Sequence, residues 1–244
     1  MIEGLIVAMV AFGLGGILKG AIGAGTPVVV IPLMSIYFGV PYAVSVFALP
    51  ALLSNIWQGW RFRHAILDRG FVLRLALGAA CGALIGTILL ASLPSDFLSI
   101  GVGLLALIYI GFRLAKPDWQ LDHALARRMV LPVGLLSGIL QGAAGISAPV
   151  SMTFLHALRL ARPQFIGTIS VLFSAMALVQ LPTLGTLGVL NGERLLISLL
   201  ACLPLFLGMP VGAWLVRLVP PQVFDRLIML MLFVIAVGLI AESF

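Results

Sequence analysis

Charge is scarce in this chain. Asp, Glu, Lys and Arg make up 9% of its 244 residues and apolar residues 62%, whereas an ordinary soluble domain carries roughly 25% charge. A soluble globular fold is excluded, because it could not hide that much apolar surface. The eight acids, Glu3, Asp68, Asp96, Asp118, Asp122, Glu193, Asp225 and Glu242, fall in loops or at the ends of apolar runs. That placement argues against the usual proton relay, which needs a carboxylate inside the membrane. The two cysteines, Cys81 and Cys202, lie in separate apolar runs without metal-ligand spacing and suit packing. Paired catalytic carboxylates, a Ser-His pair and a metal cluster are also missing, so the chain is not read as an enzyme and no cofactor or metal is expected.

What the sequence has in abundance is long apolar runs, of the length that crosses a hydrocarbon core about 30 Å thick. The fold class is an all-α polytopic membrane protein. Reading the runs against Pro, Gly and charge places ten segments: 4–19, 27–38, 41–60, 71–92, 97–114, 129–141, 149–160, 163–182, 195–216 and 222–241. The N-terminus carries Glu3 and no basic n-region, so it is expected to be a membrane segment and not a cleaved leader. Segments 27–38, 129–141 and 149–160 would give roughly 18 to 20 Å of helix, too short to span. The first two segments of each half are therefore expected as re-entrant or broken pairs.

The chain repeats itself. Shifted by half its 244 residues, GILKGAIGAGTPV (16–28) lies over GILQGAAGISAPV (138–150) without a gap. In the same register Leu33 falls on Leu155, Pro41 on Pro163, Gln58 on Gln180 and Gly86 on Gly208. The organisation is a first membrane repeat at 1–115, a cytoplasmic linker at 116–128 and a second membrane repeat at 129–244. The net charge of +6 sits mainly in loops, which points to membrane orientation and not to nucleic acid. Placing Arg61, Arg63, Arg69 and Arg74 in the cytoplasm also brings Arg113, Lys116, Arg127, Arg128, Arg159, Arg162, Arg217 and Arg226 inside, leaving Arg194 outside and Lys19 at the break. Both termini are then periplasmic. Each half makes an odd number of net crossings, so the repeats have inverted topology, each with a broken or re-entrant pair plus three transmembrane helices. That is a transporter architecture, with the substrate near the midplane.

The glycine-rich breaks carry the chemistry. Irregular backbone at membrane depth survives only when buried in protein or lining a wet cavity. Thr26 before Pro27 and Ser147 before Pro149 read as starts of short helices, whose free amides and dipole ends attract anions. Gly20, Gly23, Gly25, Gly142 and Gly145 would let a ligand approach the backbone. Lys19, an intramembrane cation without a nearby acid, is the expected counter-charge, and Gln141 takes its place in the second half. Asn55, Gln58 and Gln180 could complete the site, with Trp57 as a wall. Structural readings compete with each of these. Lys19 could snorkel to an interface, Trp57 and Trp60 could anchor one, and Gln58 and Gln180 could simply join helices. The GxxxGxxxG runs at Gly78, Gly82, Gly86 and at Gly134, Gly138, Gly142 are packing surfaces first, fitting either the interior or a homodimer.

The pattern GAIGAGTPVVVIP followed by FGVPYAVSVFALPALLSNIWQGWRFRHA, repeated once, resembles the sulfite exporter TauE/SafE family, also called the 4-toluene sulfonate uptake permease family. The resemblance covers essentially the whole chain, although GAIGAGTP and GAAGISAP stand where the family more often has a richer glycine run. It implies transport of small sulfur-containing anions or carboxylates, such as sulfite, sulfonates or sulfoacetate, across the bacterial inner membrane. The expected function is a secondary transporter of such an anion, its partners being the substrate and the bilayer. An anion channel or a carboxylate transporter is the alternative.

Overall fold

A computed structural model of the chain describes residues 2–115 and 120–215, with single positions at 218 and 233. The described residues are helical, without strands: α1 (Ile2–Ile22), α2 (Thr26–Phe38), α3 (Val40–Arg61), a 3-10 turn (Arg63–Ala65), α4 (Arg69–Ser92), α5 (Ser95–Ala115), α6 (His123–Ala144), α7 (Ala148–Ala157), α8 (Arg162–Thr186) and α9 (Gly192–Leu215). Six of these, α1, α3, α4, α6, α8 and α9, are long and apolar enough to cross a membrane. The expected segment 222–241, but for position 233, lies outside the described residues.

Local chemistry sets the boundaries. Asp68 accepts from the Phe71 amide at 3.0 Å and so caps α4, while Asp122 accepts from Ala124 and Leu125 and caps α6. Pro sits in the first turn of α2, α3, α7 and α8, where its missing amide leaves nothing unpaired.

Two expectations change here. The segment expected at 129–141 is a full helix of 22 residues. Arg127, Arg128 and Pro132 resemble a boundary in sequence, but Asp122 starts the helix earlier and Pro132 lies inside it. Residues 123–128 thus form the first turns of α6. Thr26 is not a cap either. Gly25 holds the cap position of α2 with φ 95°, and the Thr26 hydroxyl donates back to the Gly15 carbonyl at 3.2 Å.

The breaks are three residues each, 23–25 and 145–147, and they superpose under the half-length shift. Each opens on a left-handed glycine, Gly23 (φ 82°) and Gly145 (φ 71°). The Gly23 amide donates to the Lys19 carbonyl at 2.7 Å and the Gly145 amide to the Gln141 carbonyl at 2.8 Å. Such glycine termini close helices because glycine adopts the positive φ without a Cβ penalty. Lys19 therefore lies in the last turn of α1, just before the break. At 13 and 10 residues, α2 and α7 are about 20 and 15 Å long and cannot span. The Leu121 amide, before α6, donates to Ala157 at the end of α7, so the second pair returns toward the side where it began.

The halves interleave. Gly78, Gly82 and Gly86 of α4 press on Gly134, Gly138 and Gly142 of α6 so closely that a Cβ at Gly82 would strike the Leu135 carbonyl and one at Gly138 that of Ala79. Gly16 and Gly20 of α1 meet Gly208 and Gly212 of α9 in the same way. Under the shift, these are one pairing made twice: the first helix of each half lies on the corresponding helix of the other half, α1 on α9 and α6 on α4. Close backbone approach of this kind maximises dispersion contact where lipid supplies no hydrophobic drive. Phe12, Ile31, Met34, Leu155, Ile169 and Met176 fill the centre, each almost fully buried. Leu73, Leu77, Leu203 and Leu207 stand on the outside, as in a protein bathed in hydrocarbon.

Candidate anion site between the helix breaks

The end of α1 brings Lys19 inward. Its side chain is only 2% exposed, and Nζ donates to Asn55 Oδ1 on α3 at 2.6 Å. Asn55 is oriented in turn by Nδ2, which donates to the Ala51 carbonyl one turn back at 2.7 Å. Among the described residues no carboxylate pairs with Lys19. An ammonium has three donors and among the described residues has one acceptor, an amide oxygen that brings no negative charge.

The repeat-related position is built differently. Ser147, at the start of α7, donates through Oγ to Gln141 Oε1 at 3.1 Å, and Ser151 Oγ donates to the Ser147 carbonyl at 2.9 Å. Gln180 of α8 donates through Nε2 to the carbonyls of Gln141 and Gly142, at 3.3 and 3.4 Å. The second break is thus held by neutral hydrogen bonds.

A cavity lies between the two. Lys19, Gly25, Thr26, Asn55, Gln141 and Gln180 supply its polar wall, and Phe47, Ala51, Phe173 and Ala177 its apolar one. Neither α2 nor α7 has a side-chain cap on its first turn. The start of α2, formed by Gly25, Thr26 and Pro27, faces the cavity. The space left is about 10 Å³, close to the minimum that holds one water. An oxyanion with several oxygens fits only after the walls part.

The other expected site residues lie elsewhere. Gly20, Trp57 and Gln58 line a second cavity, of about 540 Å³. Gly20 and Gly142 are filled by helix packing, against the Met209 carbonyl of α9 and the Ala83 carbonyl of α4. Gly23 and Gly145 are the helix termini described above, and Ser147 reaches the first cavity through Gln141. Sequence reading did not select Phe47, Ser54 or Phe173, which wall the inner cavity. Arg61 and Arg162, read as orientation signals, line the outer one. The register held one clue, since Phe173 stands where the first half has Ala51.

The family model described as sulfite exporter TauE/SafE matches residues 7–239. The chain belongs to this family. No curated protein and no solved structure matches it. TauE/SafE membership, together with the six apolar helices, makes the chain a multi-pass membrane protein of a transporter family and implies carriage of sulfur-containing anions.

Proposed function

We propose that this TauE/SafE protein is a secondary transporter that binds a small sulfur oxyanion or sulfonate in the cavity between the two breaks, with Lys19 as the counter-charge. The observation that carries the reading is a buried ammonium, beside the start of α2, whose one acceptor among the described residues is the neutral Asn55. A bare ammonium at membrane depth costs at least about 2.5 to 3.5 kcal/mol. An arriving anion offsets that cost and also gains from the helix dipole, by about 0.3 to 2 kcal/mol. Asn55, Gln141 and Gln180 offer amide groups to the remaining oxygens.

The interleaved, twice-made pairings and the distribution of arginines favour inverted halves with both termini outside the cytoplasm. Transport then proceeds by relative movement of the halves, which opens the closed cavity to one side and then the other. Such a cavity suits a carrier better than a continuous pore. The deciding experiment is calorimetric titration of the purified chain with sulfite, methanesulfonate and acetate, paired with flux into proteoliposomes. Saturable flux with preference for the sulfur anions is expected. Ohmic current in planar bilayers would establish a channel instead, and preference for acetate would move the assignment to carboxylates.

A further inference from the structure

The outer cavity shares no lining residue with the inner one. At about 540 Å³ it lies within the roughly 300 to 1,000 Å³ typical of ligand pockets. Its wall carries two cations, Arg61 on α3 and Arg162 on α8, beside Trp57 and Phe206. The Arg61 guanidinium lies over the Trp57 ring at 5.5 Å, and Trp57 meets Phe206 edge-on with centroids 6.4 Å apart. Arg162 Nη2 donates to the Ala21 carbonyl at 2.8 Å, which fixes it at the end of α1.

The two cavities are stacked along the same helices. Lys19 lines the inner and Gly20 the outer; Asn55 the inner and Gln58, three residues on, the outer. On α8, Phe173 and Ala177 face the inner space while Arg162 and Ile166 face the outer. Three residues along a helix is about 4.5 Å, so the chambers are roughly one turn apart. At that level α3 packs on α8, with Gly59 against Ser170, and a long hydrogen bond runs from Ser170 Oγ to Gln58 Oε1 at 3.5 Å, between buried side chains.

We infer that the outer cavity is a second anion site, an antechamber that takes an anion with an apolar body, and that the Gln58–Ser170 pair is part of the partition between it and the inner site. The arginines take the charged head and Trp57 with Phe206 the body. This rests on the reading of the chain as an anion transporter, but not on Lys19. A bond at the limit of hydrogen-bonding distance is easily exchanged for contacts with a passing anion, since an amide and a hydroxyl can each donate to it.

The test uses the full-length chain in phosphatidylcholine nanodiscs with Trp57 as sole tryptophan (Trp60→Phe, Trp119→Phe, Trp214→Phe), titrated with benzenesulfonate and followed by emission. A saturable response is expected, retained in Lys19→Met and weakened about tenfold or more in Arg61→Gln, the size of one charge-assisted contact. Methanesulfonate, which has only a methyl group to bury, should bind more weakly than benzenesulfonate. A matching protein that keeps only Trp60, which does not line the cavity, should not respond. The inference is overturned by a silent Trp57, by an equal response from Trp60, or by loss of the response in Lys19→Met. Competition from phosphatidylglycerol at its membrane concentration would also overturn it, by assigning the cavity to a lipid headgroup. If Lys19→Met leaves transport intact while the Trp57 response persists, the inner-site reading fails and the antechamber stands.

Discussion

Replacing Lys19 by methionine separates a binding role from a structural one, because the two predict opposite results. Methionine has nearly the same length without the charge. In the empty protein, the change removes a buried ammonium that costs about 2.5 to 3.5 kcal/mol. It also strips the 2.6 Å bond from Asn55 Oδ1, and an unpaired buried acceptor costs about 1 to 3 kcal/mol. The two nearly cancel, so the melting temperature of the unliganded protein should barely move. Binding should not survive so well. A charge-assisted contact is worth about 1.5 to 3 kcal/mol, which at 1.4 kcal/mol per decade weakens the dissociation constant by about 10- to 100-fold. An anion at 100 times its dissociation constant stabilises the parent by about 2.7 kcal/mol, and after a 100-fold loss by about 0.4 kcal/mol. Thermal shift in detergent with and without sulfite therefore reads both quantities at once. A variant that binds sulfite as tightly as the parent refutes the counter-charge argument. One that melts far below it without ligand shows that Lys19 is chiefly structural.

The glycine contacts make a second set of predictions: Gly20→Ala, whose Cβ collides with the Met209 carbonyl, should cost about 1 to 3 kcal/mol through overpacking, whereas Gly13→Ala, with open space around it, should be neutral or slightly stabilising in detergent melts. Orientation is checked by single cysteines in a Cys81→Ala, Cys202→Ala background: an impermeant thiol reagent added outside whole cells should label Asn191→Cys and spare Arg69→Cys, and the reverse pattern would invert the topology. The repeat itself is checked by moving the cation to its related position. Lys19→Gln with Gln141→Lys should bind anion weakly in calorimetry, since Ala177 stands where the first half has Asn55, and adding Ala177→Asn should recover binding if the register is structural.

Much of the architecture was legible because it is written in local chemistry. The apolar runs, the proline starts and the glycine termini are short-range signals, and the register of 122 residues, half of 244, put the breaks on one another to the residue. What was not legible depends on partners distant in sequence. Gly20 in a break looks like a place for ligand until α9 occupies it. Arg61 and Arg162 are indistinguishable from orientation charges until the fold sets them around one cavity. The start of α6 was missed for a different reason: two arginines and a proline outweigh a single aspartate in any pattern of hydropathy, yet Asp122 bonds two amides and settles the boundary.

The symmetry of the scaffold and the asymmetry of its lining have different physical origins. The pairings of α1 with α9 and of α6 with α4 are duplicated because the same small residues recur in both halves, and backbone packing tolerates no larger side chain there. The cavity between them makes no such demand, so its two sides are free to diverge. The first half contributes charge and the amide that holds it, Lys19 with Asn55; the second contributes neutral Gln141 at the lysine position, Ala177 at the asparagine position, and the bulk of Phe173 opposite Ala51. Two buried ammoniums facing each other would double the desolvation cost and repel across a gap that holds about one water. One cation opposed by a neutral hydrogen-bonding group keeps the empty state affordable while leaving a net positive site for one negative charge. A pseudo-symmetric carrier of a monoanion is therefore expected to place its charge on one side only, and here it lies on the half whose break faces the cavity.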